Sequence, residues 1–295
     1  MREGDLGQIR EVREVRSGVP TLEGAGVRLR RMFGFEKVPA LDPFLLLDDF
    51  SSENPADYVA GFPWHPHRGI ETITYLLKGE IEHGDSMGNR GVIGPEEVQW
   101  MTAGSGIIHQ EMPRESRKTG LQGFQLWANL PAAEKMMPPR YRGIQPGQIP
   151  LAARPGGVKV RVISGEIDGV RGPVREIRID PEYLDVEVPA GAVFKHKLPA
   201  SYALFAYVFA GQGHFDPGRK KTAGAGNLVT FSAGDGVEIA AGAGGLRFLL
   251  VSGKPLREPV AWRGPIVMNT EAELRVAFAE YAAGTFLKHK AVLDR

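Results

Sequence analysis

Short runs of β-branched and aromatic residues recur along this chain, separated at close intervals by glycine and proline. Such runs, bounded by turn-forming residues, are typical of β-strands. Sustained helical periodicity is scarce, so the pattern predicts an all-β protein of the sandwich or barrel type. The clearest predicted strands are residues 72–77, 98–101, 123–127, 158–163, 183–188, 204–209, 228–231 and 246–251.

A change in composition near the middle of the chain predicts two domains. The proline-containing segment 131–139 ends the first group of strands, and a stretch rich in glycine and proline follows before strands resume. Domain boundaries fall in such segments. We predict an N-terminal domain over 1–140, a C-terminal domain over 150–262, and a tail with a helix over 263–295.

The tail carries the one convincing helix signal. Thr270–Glu273 fits a capping box, in which the threonine hydroxyl caps the third helical amide and the glutamate reaches back. Leu274, Phe278 and Tyr281 then recur at helical spacing, and Gly284 fits a C-terminal cap. An amphipathic helix of this kind is expected to dock on a barrel.

Composition narrows the function classes. The 36 basic and 35 acidic side chains leave a formal charge of +1, which argues against direct nucleic-acid binding through a broad basic face. The absence of cysteine excludes disulfides and thiolate-bound metals. We find neither a signal-peptide pattern at the start nor an apolar run of the ~20 residues needed to span a membrane. We therefore expect a cytoplasmic protein with no membrane partner.

Candidate chemistry is concentrated in two short motifs about 40 residues apart. Residues two apart on a strand lie on the same face, about 6.6 Å apart. His65 and His67 can therefore reach one ion together, and His109 and Glu111 can face them with the same spacing. Three imidazoles and one carboxylate suit a divalent first-row metal and suit Ca²⁺ or Mg²⁺ poorly. A six-coordinate ion would keep two positions open.

Other residues in these segments have plainer interpretations. We predict that His83–Asn89 forms a hairpin turn, because aspartate, glycine and asparagine suit turn geometry, with a role at the mouth of the pocket as the alternative. Arg68 is expected to form a structural salt bridge. In the second half of the chain, His196 and His214 lie outside any His-x-His pair, so we expect no second metal there.

The metal motifs also carry a family resemblance. They closely resemble the pirin family of the cupin superfamily, whose members contain two cupin barrels, and further similar segments extend the match over most of the chain. The resemblance therefore implies an all-β fold of two double-stranded β-helix (jelly-roll) barrels with a C-terminal helix. The segments that carry it are 65–89, 94–113, 41–50 and 264–274.

The resemblance also implies a ligand set and an ion. Carried over by position, the family's metal ligands fall on His65, His67, His109 and Glu111. In cupins generally, the carboxylate ligand of the metal comes from the first motif, after the His-x-His pair. Glu71 occupies that position here, at an even spacing from His65 and His67. The pirin pattern favours Glu111, which leaves Glu71 beside the ligands or in a structural role. Fe(II) is the expected ion, with Mn, Ni, Cu, Co and Zn as alternatives.

Two functions follow from the resemblance. The first is a quercetin 2,3-dioxygenase, in which a flavonol-like substrate and dioxygen meet at the metal and Glu111 acts as the catalytic base. The second is an iron-dependent, redox-sensing adaptor that binds a protein partner such as a transcription factor or a metabolic enzyme.

Overall fold

A computed structural model describes residues 6–35, 41–116 and 118–289. The first five residues of the charged N-terminal segment and the last six residues of the predicted tail lie outside these ranges. The strands and the α-helix are β1 (Val12–Ser17), β2 (Val19–Glu23), β3 (Val27–Phe33), β4 (Phe44–Asp49), β5 (Phe62–His67), β6 (Ile70–Lys78), β7 (Ile81–Asp85), β8 (Arg90–Ile93), β9 (Val98–Thr102), β10 (Ile107–Pro113), β11 (Gln122–Asn129), β12 (Arg140–Ile144), β13 (Leu151–Ala153), β14 (Lys159–Ser164), β15 (Glu166–Ile167), β16 (Val170–Arg171), β17 (Glu182–Val188), β18 (Val193–Lys197), β19 (Ala203–His214), β20 (Thr222–Gly224), β21 (Asn227–Phe231), β22 (Gly236–Gly253), β23 (Ala261–Arg263), β24 (Ile266–Met268) and α1 (Glu271–Ala282).

The all-β prediction is confirmed, and each strand named from the sequence overlaps an observed one. The chain divides into two compact units. The first, here called the N-terminal barrel, comprises Val19–Pro146 and Leu256–Arg295; the second, the C-terminal barrel, comprises Met1–Gly18 and Gly147–Pro255.

These units differ from the three consecutive segments predicted from the sequence. Residues of β1 belong to the C-terminal barrel, because β1 pairs along its length with β21. Arg10 also lies buried there, with its guanidinium donating to carbonyl oxygens that include those of Gly234, Tyr202 and Pro199 at 2.8 Å. Residues beyond 255, predicted as the end of the second domain and a separate tail, belong to the N-terminal barrel instead. Local sequence patterns show where strands occur, but they do not show which distant strand will pair with them.

The N-terminal barrel is built from a seven-stranded and a four-stranded antiparallel sheet. The first has the strand order β12-β9-β6-β11-β4-β3-β2 and the second the order β5-β10-β7-β8. Buried apolar side chains from both sheets, including Leu29, Leu76 and Ile81, form a shared cluster. The inner faces of the two sheets therefore enclose the interior that both histidine motifs face.

The C-terminal barrel encloses an apolar core of its own. Its main sheet follows the order β1-β21-β19-β22-β17-β14-β13, with β18 added to β22 and β20 to β19. Valine, leucine, isoleucine and phenylalanine from most of these strands fill its interior. This composition accounts for the alternating apolar pattern in the second half of the sequence.

Helix α1 begins with the predicted capping box, since Thr270 Oγ1 accepts from the amide of Glu273, and the Glu273 carboxylate accepts from the amide of Thr270. Leu274 and Ala277 are buried against the N-terminal barrel, whereas Tyr281 is exposed. Gly284 adopts a φ of 71° just beyond the helix. None of the helices in the described ranges combines the length and apolar character of a membrane span.

Arg68 fastens the end of this helix to the barrel, and the prediction of a structural salt bridge is confirmed. Its Nη1 lies 2.8 Å from a carboxylate oxygen of Glu280, while its Nη2 donates to the carbonyl of Phe286 at 2.8 Å. Nε donates to the carbonyl of Ser105 at 2.7 Å. The residue is 2% exposed, so these charge-assisted bonds act where water does not compete.

Lys135 makes a second buried connection close to the histidine motifs. Its Nζ donates to the carbonyls of Gly69 and Val267, at 2.9 and 3.1 Å, and to Oδ1 of Asn129 at 2.7 Å. Burial lowers the pKa of this ammonium to about 7. Gly69, with a φ of 79°, could not carry a side chain because a Cβ would collide with the carbonyl oxygen of Val267.

We expect Lys135→Met to destabilise the protein by about 2–4 kcal/mol, because three oxygen acceptors would lose their donor. Chemical denaturation measures this loss. The control is Lys78→Met at the exposed C-terminal end of β6, which should change stability by less than about 0.5 kcal/mol. Equal stability of the two variants would contradict the role given to Lys135.

Candidate metal centre

His65 and His67 project from β5 toward the barrel interior, as their two-residue spacing predicts. Strand β10 lies beside β5 with His109 opposite His65, so the two motifs meet across one strand boundary. One ring nitrogen from each of the three histidines lies within 4.8 Å of the other two. His67 and His109 are buried, and His65 is half-buried. The sequence motifs therefore come together as a three-histidine cluster.

Hydrogen bonds orient two of these rings. Nδ1 of His65 lies 2.8 Å from the carbonyl oxygen of Pro63, and Nδ1 of His67 lies 3.1 Å from that of Pro265. A carbonyl oxygen can only accept, so each Nδ1 carries the hydrogen and each Nε2 carries a lone pair. The two Nε2 atoms nevertheless face each other at 3.1 Å. Two lone pairs this close require a shared proton or a cation.

His109 gives the same indication independently. The residue is 1% exposed, and neither of its ring nitrogens has a hydrogen-bond partner within the described part of the chain. An unpaired polar atom in a protein interior is costly, and a ligand that pairs with it removes that cost. Three neutral imidazoles suit divalent first-row metals, so these residues fit a metal of that class.

The electrostatic surroundings keep the buried histidines neutral. Burial, followed by the effect of the neighbouring His65, lowers the pKa of both His67 and His109 well below the usual value of 6.5. A metal binds the neutral imidazole, so low pKa values reduce the competition between metal and protons at neutral pH.

Glu111 faces the same cavity as the histidines but is held by neutral donors. Thr74 Oγ1 donates to its Oε1 at 2.9 Å, and Gln125 Nε2 donates to its Oε2 at 3.1 Å. A register shift in β10 separates His109 from Glu111. The carboxylate oxygens lie outside the tight cluster of histidine nitrogens. Its role as the fourth ligand stays a prediction.

Glu71, the alternative carboxylate, is occupied elsewhere. Its two oxygens accept from Thr102 Oγ1 at 2.6 Å and from Trp100 Nε1 at 3.1 Å. Burial raises its pKa in spite of these bonds. It does not appear among the described residues that line the cavity. These contacts favour a structural role.

The predicted hairpin turn joins β7 to β8 after Asp85, but His83 itself lies in strand β7 rather than in the turn. His83 and Asp85 end strand β7, and Asp85 then caps the turn by accepting from the amides of Met87 and Asn89. The His83 ring is buried, and its centroid lies 5.6 Å from that of His109. The alternation of Ile81, His83 and Asp85 was the available signal, and the turn-forming residues after it obscured that pattern.

His83 belongs to a polar cluster beside the metal motifs. Gln99 Nε2 lies 2.7 Å from its Nδ1, and Asp85 Oδ2 lies 3.4 Å from its Nε2. The ring of Tyr141 stacks on it at 4.9 Å. The cluster fixes the orientation of His83 and supports the wall next to His109.

A cavity of about 380 Å³ opens onto the histidine cluster. This volume lies within the range of small-molecule sites. The cavity wall contains the aromatic side chains of Phe62, Phe35 and Trp127. Trp64, the residue before His65, is 49% exposed and does not line the cavity. The ring of Trp127 meets that of His67 edge to face at 5.1 Å. The cavity therefore offers a largely apolar space with aromatic side chains in its wall beside the histidine nitrogens.

The histidines of the C-terminal barrel have other partners. His196 Nε2 lies 3.1 Å from Oε2 of Glu182, which also accepts from Ser252 at 3.0 Å. His214 Nδ1 lies 3.1 Å from the hydroxyl of Thr222. The expectation of a metal in the first barrel alone stays a prediction.

Two family models match this chain. Residues 26–128 match the model described as Pirin, and residues 183–287 match that of the Pirin C-terminal cupin domain. The chain belongs to the pirin family. The family resemblance and the two-cupin fold inferred from the motifs are thus confirmed.

Individual relatives agree with this assignment. A Pseudomonas aeruginosa protein provisionally named quercetin 2,3-dioxygenase is 43% identical over 279 residues, covering 93% of this chain and 97% of that protein. A crystal structure of quercetin 2,3-dioxygenase from Acinetobacter baumannii has a TM-score of 0.85 and 30% identity, covering 94% of this chain and 98% of the other. A pirin of Escherichia coli in complex with nickel(II) has a TM-score of 0.64 and 21% identity, covering 82% and 98%, and shows the shared fold.

The two candidate carboxylates of this pirin can be separated by metal analysis. We expect Glu111→Gln to weaken Fe(II) binding by at least about tenfold, because a charged oxygen donor facing the cavity is lost. Glu71→Gln should bind the metal within about threefold of the wild type. Competition with a metal chelator measures both affinities. The reverse ranking would assign the fourth ligand to Glu71.

Proposed function

We propose that this pirin is a metal-dependent dioxygenase that opens flavonols such as quercetin with dioxygen. The observation that carries the proposal is the cluster of His65, His67 and His109 beside a cavity of small-molecule size. Nε2 of His65 and Nε2 of His67 face each other, and the His109 ring nitrogens have no hydrogen-bond partner among the described residues. The names of the relatives favour the same substrate class.

The proposed ligands are His65, His67, His109 and Glu111, and the proposed ion is Fe(II). Mn, Ni, Cu, Co and Zn remain alternatives, since imidazole and carboxylate suit all of them. Nickel occupies the E. coli pirin named above. When bound, such an ion supplies a Lewis acid that acidifies the flavonol 3-hydroxyl and open positions for substrate and dioxygen.

The protein's own residues would perform three tasks. Glu111 would accept the proton of the 3-hydroxyl on a carboxylate oxygen that Thr74 and Gln125 hold toward the cavity. The carbonyls of Pro63 and Pro265 keep Nδ1 protonated on two histidines, so that their Nε2 atoms face the site. Phe62 and Trp127 would bind the flat ring system and exclude water.

Iron-loaded protein should consume quercetin in air, which is followed by the loss of flavonol absorbance. His109→Ala should reduce the rate at least about 100-fold, because the cluster loses a buried ligand. His214→Ala in the C-terminal barrel is the matched control and should keep the wild-type rate. No loss of quercetin above the His109→Ala background would overturn the proposal and favour the adaptor hypothesis.

A further inference from the structure

A row of five polar side chains crosses the inner face of the seven-stranded sheet. Gln99 on β9 pairs with Thr74 on β6, which pairs with Gln125 on β11. Gln125 pairs with Asp48 on β4, and Asp48 with Arg31 on β3. Directly opposed residues of antiparallel strands project from the same face. We call this row the polar ladder.

The middle of the polar ladder serves the proposed metal site. Thr74 and Gln125 contact each other at 3.0 Å, and both donate to Glu111. Gln99 contacts His83, the histidine beside His109. These three residues therefore have partners that belong to the metal centre or its wall.

The other end of the polar ladder has no such connection. Arg31 forms a bidentate pair with Asp48 at 2.9 and 2.7 Å, and its Nη1 donates to Glu23 at 2.8 Å. Its guanidinium lies 4.8 Å from the centre of the Phe35 ring. All four side chains line the same cavity as His65 and Glu111. Neighbouring strands are about 4.8 Å apart, so Asp48 on β4 lies about one strand spacing from Gln125 and Arg31 on β3 lies about two.

Charge and hydrogen-bond capacity define what this end can bind. Arg31, Asp48 and Glu23 sum to one net negative charge, which disfavours an anionic group. Arg31 donates to a carboxylate at each of these three contacts. An ionised carboxylate has about four acceptor positions, of which Arg31 uses one on each oxygen of Asp48. This end therefore offers unused acceptors to a neutral donor.

Burying the Asp48 carboxylate in the cavity wall costs free energy. Its side chain is 7% exposed, and burial raises its pKa to about 6 even though Arg31 opposes that shift. Replacing a buried ion pair by apolar residues is often neutral or stabilising, so stability alone does not explain this pair.

We propose that Asp48, positioned by Arg31, accepts a hydrogen bond from a neutral hydroxyl at the end of the substrate remote from the metal. The pocket would then select planar aromatic molecules with a metal-binding oxygen pair at one end and a phenolic hydroxyl at the end that faces Asp48. The proposal rests on the proposed function for the identity of the metal-binding end.

The test compares quercetin with 3-hydroxyflavone, which keeps the metal-binding oxygen pair and lacks every other hydroxyl. Iron-loaded protein is titrated with each compound under anaerobic conditions, and quenching of tryptophan fluorescence reports binding without turnover. The wild type should bind quercetin about tenfold more tightly, as expected for one hydrogen bond to a charged acceptor. Asp48→Asn should reduce this ratio to about twofold or less and leave the affinity for 3-hydroxyflavone within about twofold.

Two further variants make the result interpretable. Arg31→Gln combined with Asp48→Asn removes both charges, so it tests the ratio without a guanidinium that has lost its bidentate carboxylate partner. Glu82→Gln is the matched control, because this exposed carboxylate pairs with Arg114 and does not line the cavity. It should keep the tenfold ratio.

The outcomes separate this proposal from the proposed function. An unchanged ratio in both Asp48 variants, equal wild-type affinities, or no binding would overturn the role of Asp48. Binding with the expected ratio but without consumption of quercetin in air would support the recognition site and contradict the dioxygenase.

Discussion

The close approach of three imidazoles inside the N-terminal barrel is the constraint on which the rest of the site depends. Nε2 of His65 and Nε2 of His67 oppose each other at 3.1 Å, while both nitrogens of the buried His109 lack partners among the described residues. A folded interior rarely tolerates several unpaired polar atoms in one place. A bound divalent cation satisfies all three rings at once, and we know of no simpler partner with that property.

The fold maintains this arrangement through backbone contacts that are distant in sequence. Pro265, just before β24, orients His67, and Lys135 ties the loop after His67 to the carbonyl of Val267. Arg68 connects the same loop to the residues that follow α1. The segment after residue 255 thus completes the N-terminal barrel, although it follows the C-terminal barrel in the chain.

Local patterns in the sequence were sufficient for part of this description. Strand alternation predicted that His65 and His67 share a face, and the capping box located α1. Pairing between distant strands was not predictable in the same way, which is why the domain boundaries differ from those expected. His83 was misassigned because turn-forming residues follow it directly. The polar ladder was invisible in the sequence, since Gln99, Thr74, Gln125, Asp48 and Arg31 align only through the register of five strands.

The cavity therefore has two chemically different ends, which lie on different sheets of the N-terminal barrel. One end presents imidazole nitrogens and Glu111, and the other presents the acceptors of Asp48. The roles proposed for both ends depend on a metal bound at the histidine cluster. Anomalous diffraction from crystals of the iron-loaded protein, recorded at the iron absorption edge, tests that claim most directly. We predict a strong peak within coordination distance of His65, His67 and His109. A well-diffracting crystal with no peak at that position, or with its iron bound elsewhere, would contradict the account.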